Sequence, residues 1–327
     1  MRPRSGPSPR VLVLTEVCDP TADFVLEHLN QRGVGFWRLD PGDFPDSIDL
    51  SAGFDGAWFG ELLGPLRLVE LAEVRAVYFR RPSGFKTPAG LPESEADFIR
   101  SQARHALFGI LAGLPRVTWL NNPGRMADAR VKPYQLAIAA QVGLSTPKTL
   151  VTNRPDDVVA FGKRVGRIVT KSLSTILYES ADEGTGVLYT AEVPESDWGH
   201  PGIAATAHLF QEVVERDYEV RLTYVDGQFF AAAIMPDDPD GAVDIRAHKR
   251  AVTYRETRVP DQVRTAISEM MKRLGLLFGA FDFIVTPDGR WTFIEVNPNG
   301  QWAWIEQETG LPISAALADI LEKGAVE

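Results

Sequence analysis

Asp282, Glu295 and Asn297 are the residues whose types and spacing speak most directly of chemistry. They belong to GAFDFIVTPDGRWTFIEVNPNG, residues 279–300, in which two apolar runs flank Pro287-Asp288-Gly289. The pattern predicts strands at about 280–286 and 291–295, folded back on each other by that turn. The far ends of the strands then meet, and two carboxylates converge with an amide oxygen. A carboxylate embedded among Phe281, Phe283, Phe293 and Ile294 needs a partner, because apolar surroundings penalise a bare charge. Three hard oxygen donors of this kind suit Mg²⁺, which keeps some waters and takes further ligands from phosphates. The plainer alternative is two solvated carboxylates that cap local turns.

Two lysines come next. Lys171 ends an Ile168-Val169-Thr170 strand pattern and precedes a small-residue stretch, whereas Lys132 reads equally well as a surface group. An ammonium brings a compact positive charge to phosphate oxygens. The acidic, glycine-bearing stretch 178–186 (YESADEGTG) reads as a loop able to fold over phosphates through backbone N–H groups, although it lacks the Walker pattern. Residues 208–214 and 219–225 read as strands around a polar break. There Gln211 and Glu212 would flank an adenine ring, Val214 would give it an apolar contact, and Glu219 would accept from ribose hydroxyls. An ordinary hairpin with a charged loop fits the same residues. Arg221, and Arg246 within VDIRAHKR (243–250), carry planar forks suited to a reacting carboxylate or a transferring phosphoryl group. Lys249, Arg250 and His248 read as surface residues. Trp302, Trp304 and Ile305 follow the metal-type motif and fit either core packing or an apolar wall beside a substrate.

The elements that must position these groups follow from periodicity. Short apolar strands near 11–15, 36–39, 76–79 and 117–120 alternate with helical patterns at about 20–32 and 93–113, which implies an open, largely parallel sheet. A hairpin-like stretch surrounds Gly64-Pro65, and Asn121-Asn122-Pro123-Gly124 is a strong breaker. The expected division is 1–121, an α/β domain; 122–207, a small central unit with a helix at about 125–142; and 208–327, a unit of antiparallel strands closed by two helices.

Composition removes several function classes. A net charge of −10 argues against a general nucleic-acid binder. The single cysteine, Cys18, forms no internal disulfide, no Cys/His cluster suggests zinc, and a cytoplasmic location is the default. The first apolar run covers only residues 11–14, too short for a signal or a membrane span.

In order along the chain, Lys132, Lys171, Gln211 to Val214 with Glu219, and Asp282 with Glu295 and Asn297 resemble the ATP-grasp superfamily. The resemblance implies an ATP-grasp fold of mixed α/β class: an N-terminal open parallel α/β domain, a central lid and a C-terminal antiparallel sheet. It also implies that Lys132 and Lys171 meet the phosphates of ATP, that Glu212 and Val214 meet adenine, that Glu219 meets ribose, and that Asp282, Glu295 and Asn297 hold Mg²⁺. VYFRRP (77–82), VDIR, GAFDF and EVNPNGQWAWIEQETGLPI (295–313) carry the likeness further, to the graspetide or microviridin-type macrocyclases of the actinobacterial branch. Such enzymes join Asp or Glu side chains of a ribosomal precursor peptide to Ser or Thr hydroxyls or to Lys amines. By the same resemblance Asp244 and Arg246 handle the carboxylate of the core peptide, the central unit docks the leader, and the enzyme is a homodimer. One departure stands out. Some ATP-grasp ligases carry an arginine two residues before the metal-type aspartate, where this chain has Ala280, so Arg221 or Arg246 must take that task. A ligase that adds a free amino acid, and a nucleotide-regulated peptide binder without ligase activity, are the competing expectations.

Overall fold

VLVLT is apolar at every position, as a strand covered on both faces must be, and it forms β1 (Val11–Thr15) inside a parallel sheet. The computed structural model describes residues 8–174, 177–180, 184–236 and 252–326. After β1 come α1 (Pro20–Gln31), β2 (Phe36–Leu39), β3 (Asp49–Phe54), β4 (Trp58–Leu63), β5 (Leu68–Glu70), β6 (Ala76–Arg81), α2 (Glu93–Ala112) and β7 (Thr118–Leu120). The parallel order is β2-β1-β6-β7, and β3, β4 and β5 make a separate antiparallel sheet. Asp19 caps α1 by accepting from the N–H groups of Thr21 and Ala22, with Pro20 next to it. Alternation along β1 sends Leu12 and Leu14 into a core with Leu62, Leu107 and Leu111, and Val11 and Val13 into another with Trp302, Leu317 and Leu321.

The central region holds α3 (Pro123–Ala129), α4 (Lys132–Gln141), β8 (Thr149–Thr152), α5 (Pro155–Val165), β9 (Ile168–Lys171), β10 (Leu177–Ser180), β11 (Gly184–Val187), β12 (Ala191–Val193) and β13 (His208–Glu212). Its sheet runs β12-β9-β13-β8, all antiparallel, so the boundary expected near 207 falls just before a strand of this sheet. Two expectations change here. The single helix at 125–142 is two helices: the chain leaves the helical region at Val131, and Pro133 sits in the first turn of α4, where its missing N–H costs nothing. The stretch 178–186 is not a plain loop, since β10 and β11 pair as an antiparallel hairpin. Its glycines and acids weaken the strand signal, and pairing across the hairpin overrides it.

Beyond this region lie β14 (Tyr218–Val225), β15 (Gln228–Pro236), β16 (Val252–Glu256), α6 (Asp261–Leu274), β17 (Phe278–Val285), β18 (Trp291–Asn297), α7 (Ala303–Thr309) and α8 (Ile313–Val326). Five antiparallel strands order as β16-β15-β14-β17-β18. One face of this sheet buries Phe281, Phe283 and Phe293 against Ile267, Met270 and Met271 of α6. The other face opens towards the central sheet. Helix α8 crosses back to the N-terminal sheet, where it packs with α1 and β6. Asn121 binds the two regions together at their join. Its Nδ2 donates to the carbonyls of Phe278 and Pro298, and its Oδ1 accepts from the N–H groups of Leu277 and Phe278.

Candidate active site

A cleft of about 700 Å³ separates the small central sheet from the open face of the five-stranded sheet. Lys171, Gln211, Glu212, Val214, Glu219, Arg221, Asp282, Glu295 and Asn297 all line it. The register of the strands explains the convergence at its floor. Arg221 on β14 pairs with Asp282 on β17, and Asp282 pairs with Glu295 on β18. Between Phe283 and Asp282 the register shifts, because Ile294 is an extra residue on β18. Such a bulge re-aims side chains, and here it brings Glu295 into line with Asp282.

Each carboxylate of that pair has its own cation. Arg221 Nη1 donates to Asp282 Oδ1 at 2.8 Å, and Lys132 Nζ lies 3.8 Å from Glu295 Oε2. Lys132 is absent from the cleft lining and reaches it only through Glu295, with side-chain exposures of 14% and 24% for the two residues. The break at Val131 makes this possible, because it puts Lys132 in the first turn of α4. The same helix also secures β18: the buried amide of Gln135 donates to the Val296 carbonyl and accepts from its N–H. On the opposite wall Lys171 Nζ donates to the carbonyl of the bulged Ile294 at 3.3 Å. Asn297 Oδ1 accepts from the N–H of Asn299, which fixes the turn after β18.

The residues expected around a nucleotide base are arranged as follows. Gln211 is buried and donates to Thr149 Oγ1. The Glu212 carboxylate accepts from the N–H of Lys148 and pairs with its ammonium, so part of it is turned towards the rim. Glu219 pairs with Arg216 at 2.6 Å. Arg216, Arg167 and Tyr254 also line the cleft, and the sequence does not single them out. The cue for Arg216 is the charged break before β14; nothing marks Tyr254. Burial first, and the charge of Glu308 second, raise the Tyr254 phenol above its ordinary range, so it stays a neutral hydroxyl. The tryptophan group divides. Trp302 and Ile305 are core residues, whereas Trp304 lines the cleft in an edge contact with Tyr254 at 5.1 Å. Asp244 and Arg246 lie outside the described residues.

Ala280 has a structural reason. A Cβ built on Gly300 would come within 2.5 Å of the Ala280 Cβ and 2.7 Å of Arg221 Nη2. The turn after β18 therefore lies directly on Ala280 and leaves no passage for an arginine side chain. Arg221, one strand over, supplies a guanidinium beside Asp282 instead. Among the described residues, no cluster of three or more His, Cys, Asp or Glu is set to hold a metal ion. The opposed carboxylates and Asn297 suit instead a hard cation that draws its other ligands from water or phosphate.

Comparisons with known proteins identify the family to which this fold belongs. The MvdD pre-ATP grasp domain model matches residues 10–127. The crystal structure of macrocyclase MdnB from Microcystis aeruginosa MRC is 32% identical, covering 95% of this chain and 98% of that one, with a TM-score of 0.78. The chain belongs to the ATP-grasp macrocyclases. A second member of the family, macrocyclase MdnC of the same organism bound with precursor peptide MdnA, is 29% identical over 96% of this chain and 99% of that one, with a TM-score of 0.83. The Chryseobacterium gregarium RiPP-associated ATP-grasp ligase, in complex with ADP and a leader and core peptide, is 25% identical over 96% of each chain, with a TM-score of 0.86. No curated protein sequence matches the chain. As an ATP-grasp macrocyclase the protein is a ligase with the expected mixed α/β architecture, and no helix among its described residues is long and apolar enough to cross a membrane.

Proposed function

We propose that this chain is an ATP-dependent peptide macrocyclase that links Asp or Glu side chains of a ribosomal precursor peptide to Ser or Thr hydroxyls or to Lys amines. The observation that carries this reading is the row Arg221, Asp282, Glu295 on the cleft floor, opposite Lys171 of the small sheet. Lys171 would meet nucleotide phosphates, with Lys132 adding positive charge from behind Glu295; Gln211, Glu212 and Val214 would meet the base, and Glu219 the ribose. Asp282, Glu295 and Asn297 would hold Mg²⁺, and their oxygen-only donor set fits it. Bound there, Mg²⁺ supplies charge neutralisation and Lewis-acid polarisation of phosphoryl oxygens.

A carboxylate is a poor electrophile, because its charge repels nucleophiles and oxide is a bad leaving group. Its oxygen attacks the γ-phosphorus of ATP, and the bond to the leaving ADP oxygen breaks. The hydroxyl or amine then adds to the acyl carbon, loses its proton, and phosphate departs with the electron pair of its C–O bond. Arg221 orients the carboxyl group, and Lys171 steadies phosphate charge through positioning and electrostatics. Asp244 and Arg246 would act on the core peptide, as the family resemblance implies. The same resemblance supports a homodimer, the lone cysteine supports a cytoplasmic setting, and the net charge of −10 supports a role without nucleic acid or membrane.

The test incubates the protein with ATP, Mg²⁺ and the peptide encoded beside its gene. Peptide-dependent ADP release with loss of one water per linkage is the expected result. Gain of an amino-acid mass would replace cyclisation by ligation. Absence of ADP release would leave a binding protein. Light scattering reads the oligomeric state.

A further inference from the structure

Gln301 stands at the cleft wall with one end of its amide already committed. Its Oε1 accepts from Arg80 Nη2 at 2.6 Å and from Thr21 Oγ1 at 3.0 Å. Both donors come from the N-terminal region, Arg80 from the end of β6 and Thr21 from the first turn of α1. A guanidinium has donors and no acceptor, so the amide has one allowed orientation here: the oxygen faces Arg80 and the nitrogen faces away. Gln301 Nε2 has no partner among the described residues, and Gln301 is an exposed residue of the cleft lining.

The cost of this arrangement argues against an incidental contact. Arg80 is only 2% exposed, and a buried guanidinium needs its donors satisfied. It lies 3.8 Å from the buried carboxylate of Asp19 and donates through Nη1 to the backbone and side-chain oxygens of Asn299. The Asn299 amide returns a hydrogen bond to the Arg80 carbonyl. The turn after β18 is thus clamped to β6, and Gln301 is held at both ends. Its own carbonyl accepts from Arg221 Nη2 at 2.8 Å, while Arg221 Nη1 binds Asp282. The backbone of Gln301 is therefore fixed on Arg221, which binds Asp282, and its side-chain oxygen on Arg80 and Thr21, which leaves the Nε2 donor of this cleft-lining residue for a substrate.

We propose that the Gln301 amide nitrogen is a substrate-binding donor to the oxygen of the reacting carboxyl group that remains as the carbonyl oxygen of the acyl phosphate, and that Arg80 and Thr21 are positioning residues acting through it. The assignment rests on the macrocyclase reading above. When the hydroxyl or amine adds to the acyl carbon, the C=O electron pair moves onto that oxygen. Collapse restores the double bond and expels phosphate. A fixed donor aimed at that oxygen strengthens as charge develops and needs no rearrangement. The donor is neutral, so it can do this without binding the substrate carboxylate too tightly beforehand.

Two substitutions separate this role from simple support of the turn. Gln301→Glu keeps an oxygen for Arg80 and Thr21 but replaces the N–H₂ group by a second acceptor. Gln301→Met removes both ends. If Gln301 only supports the turn, the glutamate variant keeps its activity and the methionine variant loses it. For a donor role, both variants lose kcat/KM for peptide dehydration by roughly 10- to 100-fold, the size expected for a hydrogen bond to a charged group, with the KM for ATP held; the glutamate variant, which keeps an acceptor for Arg80, also holds its melting temperature, whereas the methionine variant melts lower. Thr21→Val, nearly isosteric, should lower kcat in the wild-type background and add nothing to Gln301→Glu, because a positioning residue acts only through the group it positions. Either Gln301 variant cyclising at the wild-type rate overturns the assignment. Wild-type protein that releases no ADP with peptide overturns the functional reading itself, and this assignment with it.

Discussion

Asp282 and Glu295 face each other as direct cross-strand neighbours on β17 and β18, two carboxylates with a cation on either side. Like charges directly opposite on adjacent strands repel, so the pair costs stability unless something gathers it. Arg221 and Lys132 relieve the repulsion from outside, and the proposed Mg²⁺ would relieve it further from between the carboxylates. Glu295→Gln keeps the shape and removes one charge. We expect its melting temperature to match or slightly exceed that of the wild type. Peptide-dependent ADP release should fall roughly 100-fold or more, since metal charge stabilisation is worth several kcal/mol. A Mg²⁺ titration of ADP release, run beside a thermal melt, checks both. Unchanged Mg²⁺ dependence would remove Glu295 from the metal set.

Lys171 gives a second prediction. Its ammonium sits on the Ile294 carbonyl at the bulge, at the edge of the cleft and outside the core. Lys171→Met should therefore leave folding intact while raising the KM for ATP by roughly tenfold or more, a loss of at least about 1.4 kcal/mol of phosphate binding. Steady-state kinetics in ATP at saturating peptide makes the measurement. A changed peptide KM with an unchanged ATP KM would place Lys171 on the peptide.

Much of the site is legible in the amino-acid sequence. The β17–β18 hairpin announces itself, because two apolar runs flank a Pro-Asp-Gly turn. The bulge at Ile294 does not, since an extra residue leaves no mark in an apolar run. The break before α4 is written at Pro133, but the helical pattern on both sides masks it. Gln301 falls within a recognisable motif, yet its tie to Arg80 spans 221 residues. Contacts between distant segments have no local periodicity to betray them. β10 and β11 escape for the opposite reason, since their composition speaks for a turn and only their mutual pairing makes them strands.

Gly300 carries a third prediction. Its backbone lies so close to Ala280 and Arg221 that a methyl group would meet the Ala280 Cβ at 2.5 Å. That Cβ is fixed by the strand, so the turn after β18 must move. Gly300→Ala should cost about 1–3 kcal/mol in denaturant unfolding, the usual range for overpacking, and should disturb Arg221 and with it Mg²⁺ dependence. Ala280→Gly removes the obstructing atom. The double variant should recover much of the lost stability, whereas equal stability in the Gly300→Ala and double variants would mean that the obstruction lies elsewhere.

Trp304 tests how the cleft divides between its two substrates. The ring packs edge-on against Tyr254 at one side, while Trp302 and Ile305 on the same segment are spent on the core. Tyr254 remains a neutral phenol, so the two residues form an aromatic wall with one hydroxyl and no charge. Such a wall suits side chains of a peptide better than a triphosphate, and aromatic anchors of this kind commonly dominate peptide binding. Trp304→Ala should raise the KM for the peptide roughly tenfold, a loss of about 1.4 kcal/mol, with the KM for ATP little changed. Trp304→Phe should restore most of the affinity, because the wall needs a flat apolar face and not the indole N–H. If the alanine variant weakens ATP and peptide equally, the wall is shared by both substrates and does not set the peptide's end of the cleft.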